Sequence, residues 1–249
     1  MLLFGCAQSV DSVRGCCSLR IGASRPYGLR VSCSAWAGRA KRVRLQSPLP
    51  LPWMRALLER FPKTRVVATP NTVKVMRKNA SPEALDGAWK PGFPGQIPDK
   101  LVIAEELEAN VIDLEGNELV VVELGHTDTD HTTCLHVPSI GLVVAGDAVY
   151  NDVHLYLAES NAEKRQEWIA ALNKIESLKP RAVVASHKRP QNDDSPRIIE
   201  ETRQYIRDFD RLVEKTKTAQ ELYDKMLELY PNRVNPGWAL WSSARAAKA

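Results

Sequence analysis

Hydrophobic residues along this chain follow two patterns: short continuous runs, and longer stretches with an apolar residue at every third or fourth position. Runs rich in Val, Ile and Leu that are bounded by Gly, Pro, Asn or Asp are typical of strands, and the longer periodic stretches are typical of helices. The predicted strands cover residues 64–68, 101–104, 110–114, 119–124, 132–137, 141–145 and 182–185.

The periodic stretches predict helices over residues 54–61, 163–178, 196–215 and 219–230. A further helix start is indicated at Ser81-Pro82-Glu83, because proline and an acidic residue are favoured in the first turn. Strands and helices that alternate in this way predict an α/β fold, most simply a pair of sheets with helices outside.

Three of the predicted strands end directly before a residue that can bind a metal. His126 follows Gly125, Asp147 follows Gly146, and His187 follows Ser186, with spacings of 147 − 126 = 21 and 187 − 147 = 40 residues. Alone, each would be interpreted as a turn residue or a packed histidine. The repetition favours a metal site, because strand ends are where a rigid sheet presents side chains to a site.

This arrangement resembles the second half of the metallo-β-lactamase superfamily, over roughly residues 56–212. The resemblance implies a four-layer αββα sandwich whose N-terminal part is incomplete here. It also implies that His126 binds one zinc, that His187 binds a second, and that Asp147 bridges the two. Asp147 would be catalytic as well, because a bridging carboxylate sets the separation of the two metals. The resemblance does not define a substrate.

One departure from the family pattern concerns the chemistry directly. The family has a His-x-His-x-Asp-His motif just before a helix, and the matching helix here is residues 54–61. Residues 46–52 read Gln-Ser-Pro-Leu-Pro-Leu-Pro, without a histidine or an acid. By residue type, Asp128 and Asp130 are typical of turn or capping positions. Asp130 and His131 are nevertheless the further candidates to replace the missing ligands. We therefore predict an incomplete metal site and impaired activity.

Two functions remain open from the sequence. The first is a zinc-dependent hydrolase of ester, thioester or lactone bonds acting on a small molecule. The second is a non-catalytic or truncated family member that keeps the fold's second half. All three ligands could also hold a single zinc, as two histidines and a carboxylate do in other enzymes.

The N-terminal segment differs from the rest in charge. Residues 1–56 hold nine Lys and Arg against Asp11 alone, a net charge of +8, so the remainder carries +4 − 8 = −4. We predict a basic, disordered or atypical segment over residues 1–52, followed by one domain with C-terminal helices over 53–249. Tyr27 and Trp36 are the aromatic residues interleaved with the basic side chains of this segment, which gives little support to nucleic-acid binding.

Cysteine usage and the absence of long apolar runs bear on the compartment. Four of the five cysteines lie in the N-terminal segment, without zinc-knuckle spacing, and the odd total favours a reducing compartment. No run approaches the ~20 apolar residues of a membrane span. We expect a cytoplasmic protein, with a mitochondrial location as the alternative, because an Arg- and Ser-rich N-terminus is typical of transit peptides.

Overall fold

A computed structural model describes residues 58–249, apart from 93, 96 and 100, and the backbone of three short strands before residue 46. The chain divides into two units, Met1–Asn110 and Val111–Ala249. The predicted boundary at residues 52 and 53, and most of the segment before it, lie outside the described residues.

The first unit contains a five-stranded sheet with one helix packed on its core. The strands are β1 (Leu2–Phe4), β2 (Cys17–Leu19), β3 (Val43–Leu45), β4 (Arg65–Ala68) and β5 (Glu105–Glu106), in the order β2-β1-β3-β4-β5. Helix α1 (Pro70–Asn79) begins with proline at its first position, and the Thr69 hydroxyl accepts a hydrogen bond from the Thr72 backbone. Side chains from β4, from α1 and from the residue before β5 form a small buried core: Val66, Ala68, Val73, Met76 and Ala104.

The helix start at Ser81 is confirmed, but the strand predicted over residues 101–104 is wrong. The Ser81 hydroxyl accepts from the Ala84 backbone, and the short helical segments Pro82–Ala84, Leu85–Trp89 and Lys90–Gly92 follow. Residues 101–104 pack on the core through Ala104, but strand pairing begins only at Glu105, opposite Val67. The apolar run therefore contributes Ala104 to the core without strand pairing, and Ile103 is exposed.

The second unit contains the sheet that carries the predicted ligands. Its strands are β6 (Val111–Leu114), β7 (Asn117–Gly125), β8 (Thr132–Val137), β9 (Leu142–Asn151) and β10 (Ala182–Lys188), in the order β10-β9-β8-β7-β6. Strands β6 to β9 form antiparallel pairs, and β10 lies parallel to β9. Positive φ angles of 54° and 81° at Glu115 and Gly116 make the two-residue turn that the β6–β7 hairpin requires.

Helices α2 (Ala162–Ser177), α3 (Arg197–Lys215), α4 (Ala219–Leu229) and α5 (Trp241–Ala247) also belong to the second unit. Side chains of Asn161 and Thr218 cap the start of α2 and α4. The first three helices lie within two residues of their predicted ends, so helical periodicity was a reliable guide. The α/β class is confirmed by the two sheets and these helices.

The core of the second unit lies between its sheet and these helices. Among its largest fully buried side chains are Trp168 and Phe209 on the helices and Leu135 and Tyr150 on the strands. Cys134 is fully buried on β8, where it packs as a small core residue. Among the described helices, none is long and apolar enough to cross a membrane.

Candidate metal centre

His126 directly follows Gly125 at the end of β7. The backbone conformation of Gly125 is one that only a residue without a Cβ adopts easily. Gly125 has φ +88°, a left-handed conformation that L side chains rarely adopt. The His126 side chain is 3% exposed, and its Nδ1 lies 2.8 Å from Oδ1 of Asp130. Its Nε2 is buried and has no hydrogen-bond partner among the residues that the structure describes. One nitrogen of this ring is therefore held, and the other is left as an unused donor or acceptor.

The turn after His126 is closed by threonine hydroxyls. The Thr127 hydroxyl lies 3.0 Å from Oδ1 of Asp128 and 2.9 Å from the Thr132 hydroxyl. Thr132 in turn donates to the Gly125 carbonyl at 3.1 Å. These contacts join both ends of the turn, and they keep its first residues buried although the segment is strongly polar.

Asp128 lies buried in this turn, 5% exposed. Burial first, and the nearby carboxylates of Asp147 and Glu159 next, raise the pKa of Asp128 well above its ordinary value. The carboxyl thus holds its proton to a higher pH than an exposed aspartate does. Treating Asp128 as an ordinary turn residue missed this feature, since an Asp in a Thr-rich turn gives no local sign of burial.

Asp147 and His187 are in direct contact. Oδ1 of Asp147 lies 3.3 Å from Nε2 of His187, and both side chains are about one-fifth exposed, at 20% and 19%. The Tyr150 ring stacks on the His187 imidazole with centroids 4.8 Å apart. The imidazole is therefore held between a carboxylate and an aromatic ring.

The strand ends predicted at residues 145 and 185 are wrong, because β9 and β10 continue through both ligands. The parallel pairing skips residues after Val144 on β9, so that Ala185 lies opposite Gly146 and His187 opposite Tyr150. Gly146 adopts φ +60° at this irregularity. Extra residues of this kind bend a strand and redirect its side chains, which explains how Asp147 reaches His187 from within a continuous strand.

The two further candidates lie at the exposed end of the turn. Asp130 is 59% exposed, and its Oδ1 lies 2.8 Å from His126 Nδ1 and 3.3 Å from Nζ of Lys164. The hydrogen bond from His126, helped by Lys164, holds the pKa of Asp130 below its usual range. His131 is exposed and has a positive φ of 57°.

An aromatic pair lies within electrostatic range of this turn. Tyr156 and Trp238 stack with centroids 4.8 Å apart, and Trp238 is 53% exposed. Burial, followed by the charges of Glu159 and Asp128, raises the pKa of Tyr156. Trp238 lies in the π-helical turn Pro236–Leu240, a rare conformation that is frequent at functional sites.

Comparison of the sequence with known families gives a match over the region that contains all three predicted ligands. A family model described as the metallo-beta-lactamase superfamily matches residues 54–187, more than half of the 249 residues. The chain belongs to the metallo-beta-lactamase superfamily. No curated protein matches it.

Solved structures of the superfamily share the fold at low sequence identity. A beta-lactamase domain protein from Burkholderia ambifaria is 16% identical with a TM-score of 0.55, over 84% of this chain and 66% of that one. A metallo-beta-lactamase family protein from Thermus thermophilus is 18% identical with a TM-score of 0.52, over 84% and 72%. This chain thus spans about two thirds of the first protein's length, and the similarities establish the fold alone.

The superfamily's zinc fits the residues present only in part. Histidine nitrogens and a carboxylate are a suitable donor set for zinc, and the unpartnered Nε2 of His126 and the contact between Asp147 and His187 agree with it. Over the described range, however, no group of three or more His, Cys, Asp or Glu side chains is arranged to hold a metal ion. The donor types suit zinc, and their arrangement does not supply a three-donor site.

Proposed function

We propose that this protein descends from zinc-dependent hydrolases of ester, thioester or lactone bonds and retains a residual, weakly binding site made of His126, Asp147 and His187. The contact between Asp147 and His187, 3.3 Å apart on neighbouring strands, is the observation that supports this most directly. It unites two residues that are 40 positions apart in the sequence (187 − 147) and that the resemblance assigns to one site.

The weakness of the site follows from what precedes it in the chain. All five histidines lie at or after position 126, so no histidine is available for the family's upstream motif. Two histidines and one shared carboxylate are few donors for two metals. Complete structural zinc sites have apparent binding free energies of about 10–16 kcal/mol, so the loss of about half of the donors decides occupancy.

A bound zinc would supply a water whose pKa lies near neutrality. The chain's own residues would hold and orient the reactants around it. Asp147 and His187 already contact each other, and Tyr150 supports the imidazole. The buried carboxyl of Asp128, with its raised pKa, can hold a proton beside Asp147. The exposed Trp238 offers an apolar surface for the substrate.

We expect zinc bound to the purified chain to be lost on dialysis, leaving well below about one zinc per chain, because too few donors remain to retain it. Zinc added back should bind weakly, and His187→Ala should weaken binding further. Metal content by elemental analysis and zinc titration measure both. His136→Ala is the matched control, because His136 lies on β8 opposite Val120 and Val143 and is not one of the predicted ligands.

Hydrolysis provides the second half of this test. With zinc added, the wild type should hydrolyse activated esters and thioesters at a rate close to that of the His126→Ala variant. Two zincs retained through dialysis, with turnover that His126→Ala abolishes, would contradict the impairment. Zinc binding that is equal in the wild type and in His187→Ala would contradict the site itself.

A non-catalytic family member is the second candidate. The observation in its favour is that, in the part of the chain that the structure describes, no three donor side chains are grouped to hold an ion. For such a protein, zinc titration should give no binding that depends on His126, Asp147 or His187.

A further inference from the structure

The two nitrogens of His126 have opposite surroundings. Nδ1 lies 2.8 Å from a carboxylate oxygen of Asp130, while Nε2 is buried without a partner among the described residues. A neutral imidazole carries one proton, on one of its two nitrogens. A carboxylate only accepts hydrogen bonds, so in the neutral ring Nδ1 carries the proton and donates a hydrogen bond to Asp130. The lone pair is then left on Nε2.

Asp130 is held in place from a second side. Nζ of Lys164 lies 3.3 Å from the same Oδ1 that accepts from His126. Lys164 lies in the first turn of α2, where its backbone N–H donates to the capping side chain of Asn161 at 2.9 Å. At 59% exposure, the Asp130 side chain would otherwise be free to rotate in solvent. The lysine therefore keeps the carboxylate directed at the imidazole.

We propose that Asp130 is a positioning residue that fixes His126 in the tautomer with its proton on Nδ1, and so presents the Nε2 lone pair as a donor. Carboxylates that accept from the far nitrogen of a metal-binding histidine fix its ring and increase its basicity. The value of this arrangement for zinc rests on the proposed function, whereas the tautomer itself does not. In this proposal Asp130 acts through His126 and is not itself a metal ligand.

The tautomer is measurable in the full-length, metal-free chain by long-range proton–nitrogen NMR correlation of the histidine rings. The wild type should show His126 protonated on Nδ1. In Asp130→Ala the proton should move to Nε2 in a large fraction of molecules, because the acceptor is gone. Asp130→Glu should restore the wild-type pattern, which a merely structural role would not require.

Glu167→Ala is the matched control. Glu167 lies 3.3 Å from Nζ of Lys164, the same distance as Asp130, but it makes no contact with His126 in the described structure. Its removal should leave the His126 signals unchanged. A wild-type His126 protonated on Nε2, or an Asp130→Ala chain that keeps the proton on Nδ1, would overturn the proposal.

Zinc titration separates this inference from the proposed function. Asp130→Ala should weaken zinc binding about 10- to 100-fold, with partial recovery in Asp130→Glu. A tautomer that responds to Asp130 while zinc binding does not would support the positioning role and contradict the assignment of His126 as a ligand.

Discussion

Replacing Trp168 with alanine is expected to lower the free energy of unfolding by about 3–5 kcal/mol. The side chain is fully buried on α2, and its Nε1 donates to the Ala148 carbonyl at 2.8 Å. Alanine would remove the largest buried side chain of the core and leave that carbonyl without its donor. The cavity and the lost hydrogen bond both act against the folded state.

The exposed Trp238 is the matched control for this prediction. Trp238→Ala should cost about 1 kcal/mol or less, because the residue contributes mainly its stack on Tyr156. Trp168→Phe, which keeps much of the volume and loses the donor, should fall between the two. Urea denaturation followed by far-UV circular dichroism measures all three. Similar losses for Trp168→Ala and Trp238→Ala would show that α2 does not anchor this core.

Trp168 also connects the core to the candidate metal centre. Its ring lies 6.3 Å from that of Tyr150, and Tyr150 stacks on His187. The carbonyl that it binds belongs to Ala148, the residue after Asp147. The same substitution should therefore disturb the His187 ring in NMR spectra, even under conditions where the chain remains folded.

Much of the second unit could be predicted from local patterns. The hairpin at Glu115-Gly116 and the strand Thr132–Val137 depend on alternation and turn residues that a short window contains. The irregular pairing of β9 with β10 does not depend on such local patterns. Gly146 was interpreted as the end of a strand, but its effect is decided by β10, whose pairing residues lie far along the chain. A local pattern cannot distinguish a bulge from a strand end.

The features of the candidate site could likewise be predicted only in part from the sequence. His126, Asp147 and His187 were predicted to form one site from their position after apolar runs. The structure shows the contact between Asp147 and His187, and the three-residue site stays a prediction. The burial of Asp128 was missed, because it depends on hydroxyls and carboxylates from other segments. The helical turn carrying Trp238 was missed as well, because Pro231, Pro236 and Gly237 interrupt any apolar period in that region.

Lowering the pH from about 7 to about 4 is expected to cost the folded state about 3 kcal/mol through His154 alone. His154 is fully buried, and its Nδ1 lies 2.9 Å from the Tyr205 hydroxyl. Burial, and next the charge of Arg233, lower the pKa of His154 from 6.5 to about 4, while Asp152 opposes the shift weakly. Folding therefore favours the neutral ring.

The direction of the pH effect follows from proton uptake in the two states. Below pH 6.5 the unfolded chain binds a proton at His154, and the folded chain does so only near pH 4. The contribution of His154 to stability is thus complete above about pH 6.5 and is lost as the pH falls towards about 4. Arg233 stacks 4.8 Å from the centroid of the Tyr205 ring, so a protonated His154 would lie beside a fixed positive charge.

The unfolding free energy measured against pH in wild type and His154→Gln isolates this group from the carboxylates that also titrate in acid. The difference between the two curves should change by about 3 kcal/mol between about pH 7 and about pH 4, the wild type losing more. Burial also lowers the pKa of His136, but its side chain is only half-buried, so His136→Gln should remove a smaller part of the slope. Parallel curves for wild type and His154→Gln would mean that the folded chain accommodates the charged ring, for example by admitting water to its buried Nε2.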